Sequence, residues 1–222
     1  MKRNTHLNYR GSMKQFMNHE MHANRYASPA ETAQMSKSFE DAIESAWPVF
    51  GGHAFRRWTA AVSGQESGSW DSKLNISLWD TVLYSFALFE KRQIVAAADA
   101  VREEFLDLLA HDGFFVDCIG RSTDNNQRLR YRAKTWLTRL RATLTVPSNE
   151  RRAFSRQLKD DLHRADPSCA ICHQRIPSAD DAEMDHVIHY WRGGATIAEN
   201  ARLTHRFCNR VRGGREDLMA AE

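Results

Sequence analysis

Apolar positions along the first two thirds of the chain recur with the period of helices rather than strands. Ser28-Pro29-Ala30-Glu31 has the order of an N-cap, a first-turn proline and the glutamate of a capping box. The helix it opens carries Met35, Phe39, Ile43 and Trp47 at a spacing of four, which predicts a core stripe ending near Pro48. Upstream, KQFMNHEMHANRY reads either as one amphipathic helix with Phe16, Met17 and Met21 on a face or as a frayed arm. The run from Ile76 to Lys91 is apolar enough for a largely buried helix, and Gln93 to His111 predicts another with Ile94, Ala98, Val101, Phe105 and Leu108 to one side. Asp112-Gly113 ends it, and Phe114 to Ile119 reads as helix or turn. Residues 123–144 predict a long helix with a seam of Leu129, Ala133, Trp136, Leu137, Leu140 and Leu144.

After residue 150 the pattern changes to short strand-like pieces, cysteine pairs and Gly193-Gly194. The expected organisation is therefore α+β: a mainly helical domain over residues 1–150, then a small domain over 151–222. No internal repeat and no nucleotide-binding glycine loop is visible.

Length and composition permit this. A chain of 222 residues with 42% apolar and 10% aromatic residues can bury a core in one mid-sized or two small domains. No apolar run is long enough to cross a bilayer, and MKRNTHLNYRGS lacks the apolar centre of a secretion signal, so a cytoplasmic protein is expected. The net charge of +3 hides a local excess. Residues 121–160 hold 11 basic and 3 acidic side chains, whereas the flanking segments are slightly acidic. With few acids interspersed, Arg128, Arg132 and Arg139 on the predicted basic helix are candidate phosphate contacts.

Cys169-x-x-Cys172 and His205-x-x-Cys208 bracket a short segment of the second domain. Three thiols and one imidazole in two tight pairs are the soft ligands of a closed, structural Zn²⁺ site. His173 is a competing ligand beside Cys172. Cys118, alone in FFVDCIG, reads as a small buried hydrophobe, so a metal site rather than a disulfide framework is expected.

Between and beside the ligand pairs lie Asp185-His186, Gly193-Gly194, Asn200 and Asn209. The order DH, GG, N, HxxCN resembles that of the HNH, or ββα-metal, endonucleases. Asn209 stands where histidine is the commoner final residue, a frequent variant of the pattern. Chemically, hydrolysis of a phosphodiester requires a base for water and a counter-charge for the reacting phosphate. His186 suits the first task. The oxygens of Asp185 and Asn209 suit a hard Mg²⁺ or Mn²⁺ ion. The resemblance implies that Asn200 braces the loop and orients the His186 backbone. Arg192, Arg206, Arg210 and Arg212 are further candidate phosphate contacts. One tension stands: successive strand residues face opposite sides, yet Asp185 and His186 must reach one phosphate, so the strand should end or bulge there.

A wider likeness joins SFEDAIESAWPVFGGHAFRRW, the NISLWDTVLYSFA helix and the basic helix running into CAICHQRI. Their order is similar to the C-terminal half of GmrSD-type restriction proteins, in which a nucleotide-hydrolysing domain comes first. That front half is lacking here, which implies a split system with a separate sensor or NTPase partner. The leading expectation is a Mg²⁺-dependent DNA endonuclease or nickase of restriction or antiphage defence. The alternatives are a zinc-stabilised DNA-binding subunit without catalysis, and a nuclease toxin effector.

Overall fold

The structure is a computed structural model that describes residues 9–60, 68–145, 153–189 and 194–212, with residues 210–212 described by backbone alone. Helices α1 (Met13–Ala23), α2 (Pro29–Phe50), α3 (Ile76–Phe86), α4 (Lys91–Ala96), α5 (Ala98–His111), α6 (Gly113–Gly120) and α7 (Asn126–Thr145) build a helical unit. Two short strands, β1 (Trp58–Thr59) and β2 (Ser69–Trp70), pair between α2 and α3. A second unit contains α8 (Arg156–Ala165), β3 (Ala182–His186), β4 (Ala201–His205) and α9 (Arg206–Arg212). The described residues 58–60 and 68–69 group with this second unit although in sequence they lie between helices of the first.

In the helical unit, Ser28 and Glu31 form the capping box that starts α2. The stripe expected to be core is a correction. Phe39 is 51% and Trp47 69% exposed, while Ala42, Ser45, Ala46, Val49 and Phe50 are buried. A spacing of four overshoots the helical turn by about 40° per step, so the larger residues wind around the helix instead of holding one face. The buried set follows the three-and-four alternation, and its small members let α3 and α5 approach closely. Pro48 lies inside the last turn of α2, which ends near it as expected, at Phe50. Phe50 then packs on Phe105 with ring centroids 4.8 Å apart, and Phe105 meets the edge of Trp136 at 5.3 Å.

The helix expected over residues 93–111 is two helices, broken at Ala97. Residues 114–119 are helical as read, with the Asp112 carboxylate accepting from the Phe115 N–H at 2.8 Å. Cys118 is fully buried there, and burial pushes its thiol pKa up.

The basic helix α7 differs from expectation in its electrostatics. Acids interspersed along its own sequence are few, but other helices supply them. Arg128 pairs with Asp117 of α6, and Arg139 with Glu104 and Asp107 of α5 at 2.6 and 3.0 Å. Arg132 is 2% exposed, donates to the Thr123 carbonyl at 2.6 Å and faces Asp80 of α3. Three of the candidate phosphate contacts are thus committed to cross-helix pairing that the linear charge count does not reveal.

In the second unit, β3 and β4 are antiparallel in the register Ala182↔His205, Met184↔Leu203, Asp185↔Arg202 and His186↔Ala201. Both α8 and α9 pack on this hairpin. Its small core is Cys169, Ile176, Ala182 and Leu203, with Leu162, Ile171, Met184 and Cys208 against it. Trp58 is buried in the same unit, its ring 5.4 Å from the Arg206 guanidinium. The Gly68 N–H donates to Asp181 Oδ1 at 2.8 Å.

Candidate active site and metal centre

The turn before β3 is a knuckle. The His173 N–H donates to the Cys169 carbonyl at 2.8 Å, and the Cys169 N–H to the Gln174 carbonyl at 2.9 Å. His173 takes a positive φ of 60°, so it works as a turn residue, and it is not among the residues whose ligand atoms converge. Those are Cys169, Cys172, His205 and Cys208, all ligand atoms lying within 4.8 Å of one another. A zinc ion with Zn–S bonds of about 2.3 Å needs sulfurs roughly 3.8 Å apart, so the cluster could hold zinc with small adjustment. His205 Nδ1 lies 3.4 Å from Cys172 Sγ and 3.9 Å from Cys208 Sγ. Its other nitrogen, Nε2, lies 3.2 Å from the Arg175 carbonyl. A proton on Nε2 donated to that carbonyl leaves the Nδ1 lone pair for a metal, the usual outer support of a metal-binding histidine.

Charge explains why this cluster wants a cation. Burial pushes the Cys169 thiol up, but backbone N–H groups of Cys172, His205 and Ile171 outweigh it and hold the thiol at about 7. Cys208 is pushed up to about 12, first by burial and then by the neighbouring Cys169 and Cys172 sulfurs. Cys169 is buried, Cys208 half-buried and Cys172 exposed, and three sulfurs this close together cannot all ionise unless a dication joins them.

Past the knuckle, β3 carries Asp185 and His186 at its last two positions, both in register with β4, so the strand ends just after the pair rather than breaking or bulging at it. Both are buried, at 7% and 9% exposure. Asp185 Oδ2 accepts from Arg202 Nε at 2.9 Å, the guanidinium reaching across from the directly opposed position on β4. His186 is held on two sides. Its Nε2 lies 3.0 Å from the Thr196 hydroxyl, and its ring sits 4.4 Å from that of Phe154, tilted by 41°.

The loop from β3 to β4 is closed by Asn200. Its Oδ1 accepts from the Ile188 N–H at 2.7 Å, and its Nδ2 donates to the carbonyls of Ile188 at 3.1 Å and Ala195 at 2.9 Å. Its own carbonyl accepts from the Val187 N–H at 3.0 Å, one residue beyond His186. Gly194 is what allows this closure. A Cβ there would fall 1.8 Å from the Ile188 oxygen and 2.8 Å from Asn200 Nδ2. Asn209 lies half-buried in α9, the helix packed on both strands.

The candidate phosphate contacts fare unevenly. Arg206 is 5% exposed, donates to the Asp180 carbonyl at 2.8 Å and stacks on Trp58, so it is part of the packing rather than the surface. Arg192 and the side chains of Arg210 and Arg212 lie outside the described residues. Thr196, Phe154 and Arg202 were not singled out from the sequence. Thr196 and Phe154 carry no motif signal, and Arg202 becomes visible only once the strand register sets it opposite Asp185.

Among the described residues no helix is long and apolar enough to cross a membrane. No curated protein and no solved structure matches the chain. The knuckle, the hairpin, its loop and the start of the last helix are another matter: residues 169–215 match the model of the HNH endonuclease family.

Proposed function

We propose that this protein is a metal-dependent DNA endonuclease or nickase of the HNH type. The carrying observation is the end of β3 within the family-matched segment: His186 is clamped by Thr196 and Phe154, with Asp185 beside it and Asn200 bracing the loop that follows. In this reading His186 takes the proton of the attacking water. Carboxylate and amide oxygens are hard donors, so Asp185 and Asn209 would hold a Mg²⁺ or Mn²⁺ ion, with Arg202 sharing the Asp185 carboxylate. When bound, that ion supplies counter-charge to the reacting phosphate and the leaving oxygen. The cysteine-rich cluster has the separate task of folding the knuckle around zinc.

With Arg128, Arg132, Arg139 and Arg206 engaged by partners within the protein, DNA is held by other groups, and Arg192, Arg210 and Arg212 are the remaining candidates. The likeness of the helical region to GmrSD-type restriction proteins supports a role in restriction or antiphage defence beside a sensor or NTPase partner.

The test is incubation of the zinc-loaded protein with supercoiled plasmid and Mg²⁺ or Mn²⁺, beside His186→Ala. Strand breaks by the wild type that vanish in the variant are expected. Equal retention of DNA by both, with no breaks when the defence partner is present, would identify a binding subunit instead.

A further inference from the structure

We infer that Thr196 is the positioning residue of His186, accepting a hydrogen bond from Nε2–H and so fixing the ring in the tautomer whose Nδ1 carries the lone pair. The inference rests on the nuclease reading, and it adds a residue that the motif itself does not contain. A neutral imidazole has one ring proton, and its location decides which nitrogen can act as a base. In the structure Nε2 meets the Thr196 hydroxyl at 3.0 Å. A nitrogen engaged at that distance is not the one that meets a water. If His186 is the base, the lone pair must sit on Nδ1 and the proton on Nε2, and the Thr196 oxygen is then the acceptor.

The surroundings make this contact a positioning device. Phe154 lies 4.4 Å from the imidazole and sets the plane in which the ring rests. Thr196 stands between Gly194 and Asn200, on the loop that Asn200 ties to Ile188 and Ala195. The hydroxyl is therefore delivered by the braced loop, and the brace and the base are coupled through it. Valine has the shape of threonine without the hydroxyl, so Thr196→Val removes the acceptor while keeping the packing, and Thr196→Ser restores it.

Two measurements test the inference. The first is ¹⁵N NMR of histidine-labelled, zinc-loaded protein at pH 8, with the His186 signals assigned by their loss in His186→Ala. Nε2–H is expected in the wild type and in Thr196→Ser, and a mixture of tautomers in Thr196→Val. The second is single-turnover nicking, where Thr196→Val should be slowed roughly 10- to 100-fold with DNA retention unchanged, and Thr196→Ser should recover most of the rate. Nδ1–H in the wild type, or signals unmoved in Thr196→Val, overturns the inference whether or not the protein cuts DNA. Wild-type protein that shows the Nε2–H signal, shifted in Thr196→Val, but never nicks DNA would overturn the nuclease reading and leave the contact standing. Unchanged zinc content in both variants establishes that they fold.

Discussion

Asn200 and Ile188 are joined by a closed pair of hydrogen bonds, the Ile188 N–H to Oδ1 at 2.7 Å and Nδ2 to the Ile188 carbonyl at 3.1 Å. The side-chain amide thus does for Ile188 what a neighbouring strand would do, just past the point where β3 has ended. A third bond, to the Ala195 carbonyl, ties the far end of the loop to the same side chain. Replacing one amide nitrogen by oxygen turns two donors into acceptors facing carbonyls. Asn200→Asp should therefore cost about 2–4 kcal/mol, read as a fall in the thermal or urea midpoint. Nicking should fall with it even at temperatures where the variant is folded. A variant as stable and as active as wild type would show that the brace is dispensable.

Gly194→Ala is expected to reopen the loop while leaving the metal centre intact. The added methyl would meet the backbone oxygen of Ile188, which cannot move aside as a flexible side chain would. Zinc stoichiometry should stay at the wild-type value while strand cleavage is lost. Full activity in this variant would mean that the loop closes without the close approach seen here.

Zinc uptake should release protons. Cys208, pushed up to about 12, is a neutral thiol at neutral pH and must ionise to bind the metal. At least one proton therefore leaves per zinc, and affinity should tighten by about tenfold or more for each pH unit gained around neutrality. Acidification works in the opposite direction and favours the metal-free protein. Calorimetry in buffers of different ionisation enthalpy counts the protons directly, and a count of zero would exclude Cys208 as a ligand. Cys169→Ser should lower the zinc content, since the sulfur it removes is fully buried in the knuckle core.

Arg132 and Arg139 should prove to be residues of stability. Arg132→Ala leaves the Thr123 carbonyl without its donor and a hole in a buried position, and is expected to destabilise the helical unit by about 3 kcal/mol. Arg139→Ala loses two partly exposed ion pairs and should cost about 1 kcal/mol. DNA retention by the folded variants should change little. A drop in its salt dependence by about one phosphate contact per arginine would restore them to the DNA surface.

His173→Gly should be neutral or stabilising by up to about 1 kcal/mol, because its φ of 60° suits glycine better than any residue with a Cβ. Loss of zinc in this variant would instead make the imidazole a ligand.

The chemistry of the second unit was legible because it depends on local order in the sequence. Ligand pairs with two residues between them must share a turn, and a candidate soft-ligand quartet follows from residue type and spacing alone. The helices of the first unit were legible through their caps and periodicity, as with Ser28 and Glu31, whose interaction spans three residues. What failed were inferences about burial and charge pairing between elements far apart in the chain, whereas the convergence of the two ligand pairs held. Whether Phe39 and Trp47 are buried depends on which face of α2 meets α3 and α5, and the small residues Ala42, Ser45 and Ala46 decide that by allowing close approach. Whether Arg139 is free depends on Glu104 and Asp107, more than thirty residues away. The setting of His186 likewise needed tertiary structure: Phe154 arrives from before α8, and Thr196 from a loop whose path is set by Asn200 and Gly194. By itself the sequence determined the candidate ligands, the candidate base and the order of the elements, since these reside in residue identity and short-range geometry. Burial and charge pairing were decided only by the tertiary structure, because both are properties of what a side chain packs against, and packing joins residues that the chain keeps far apart.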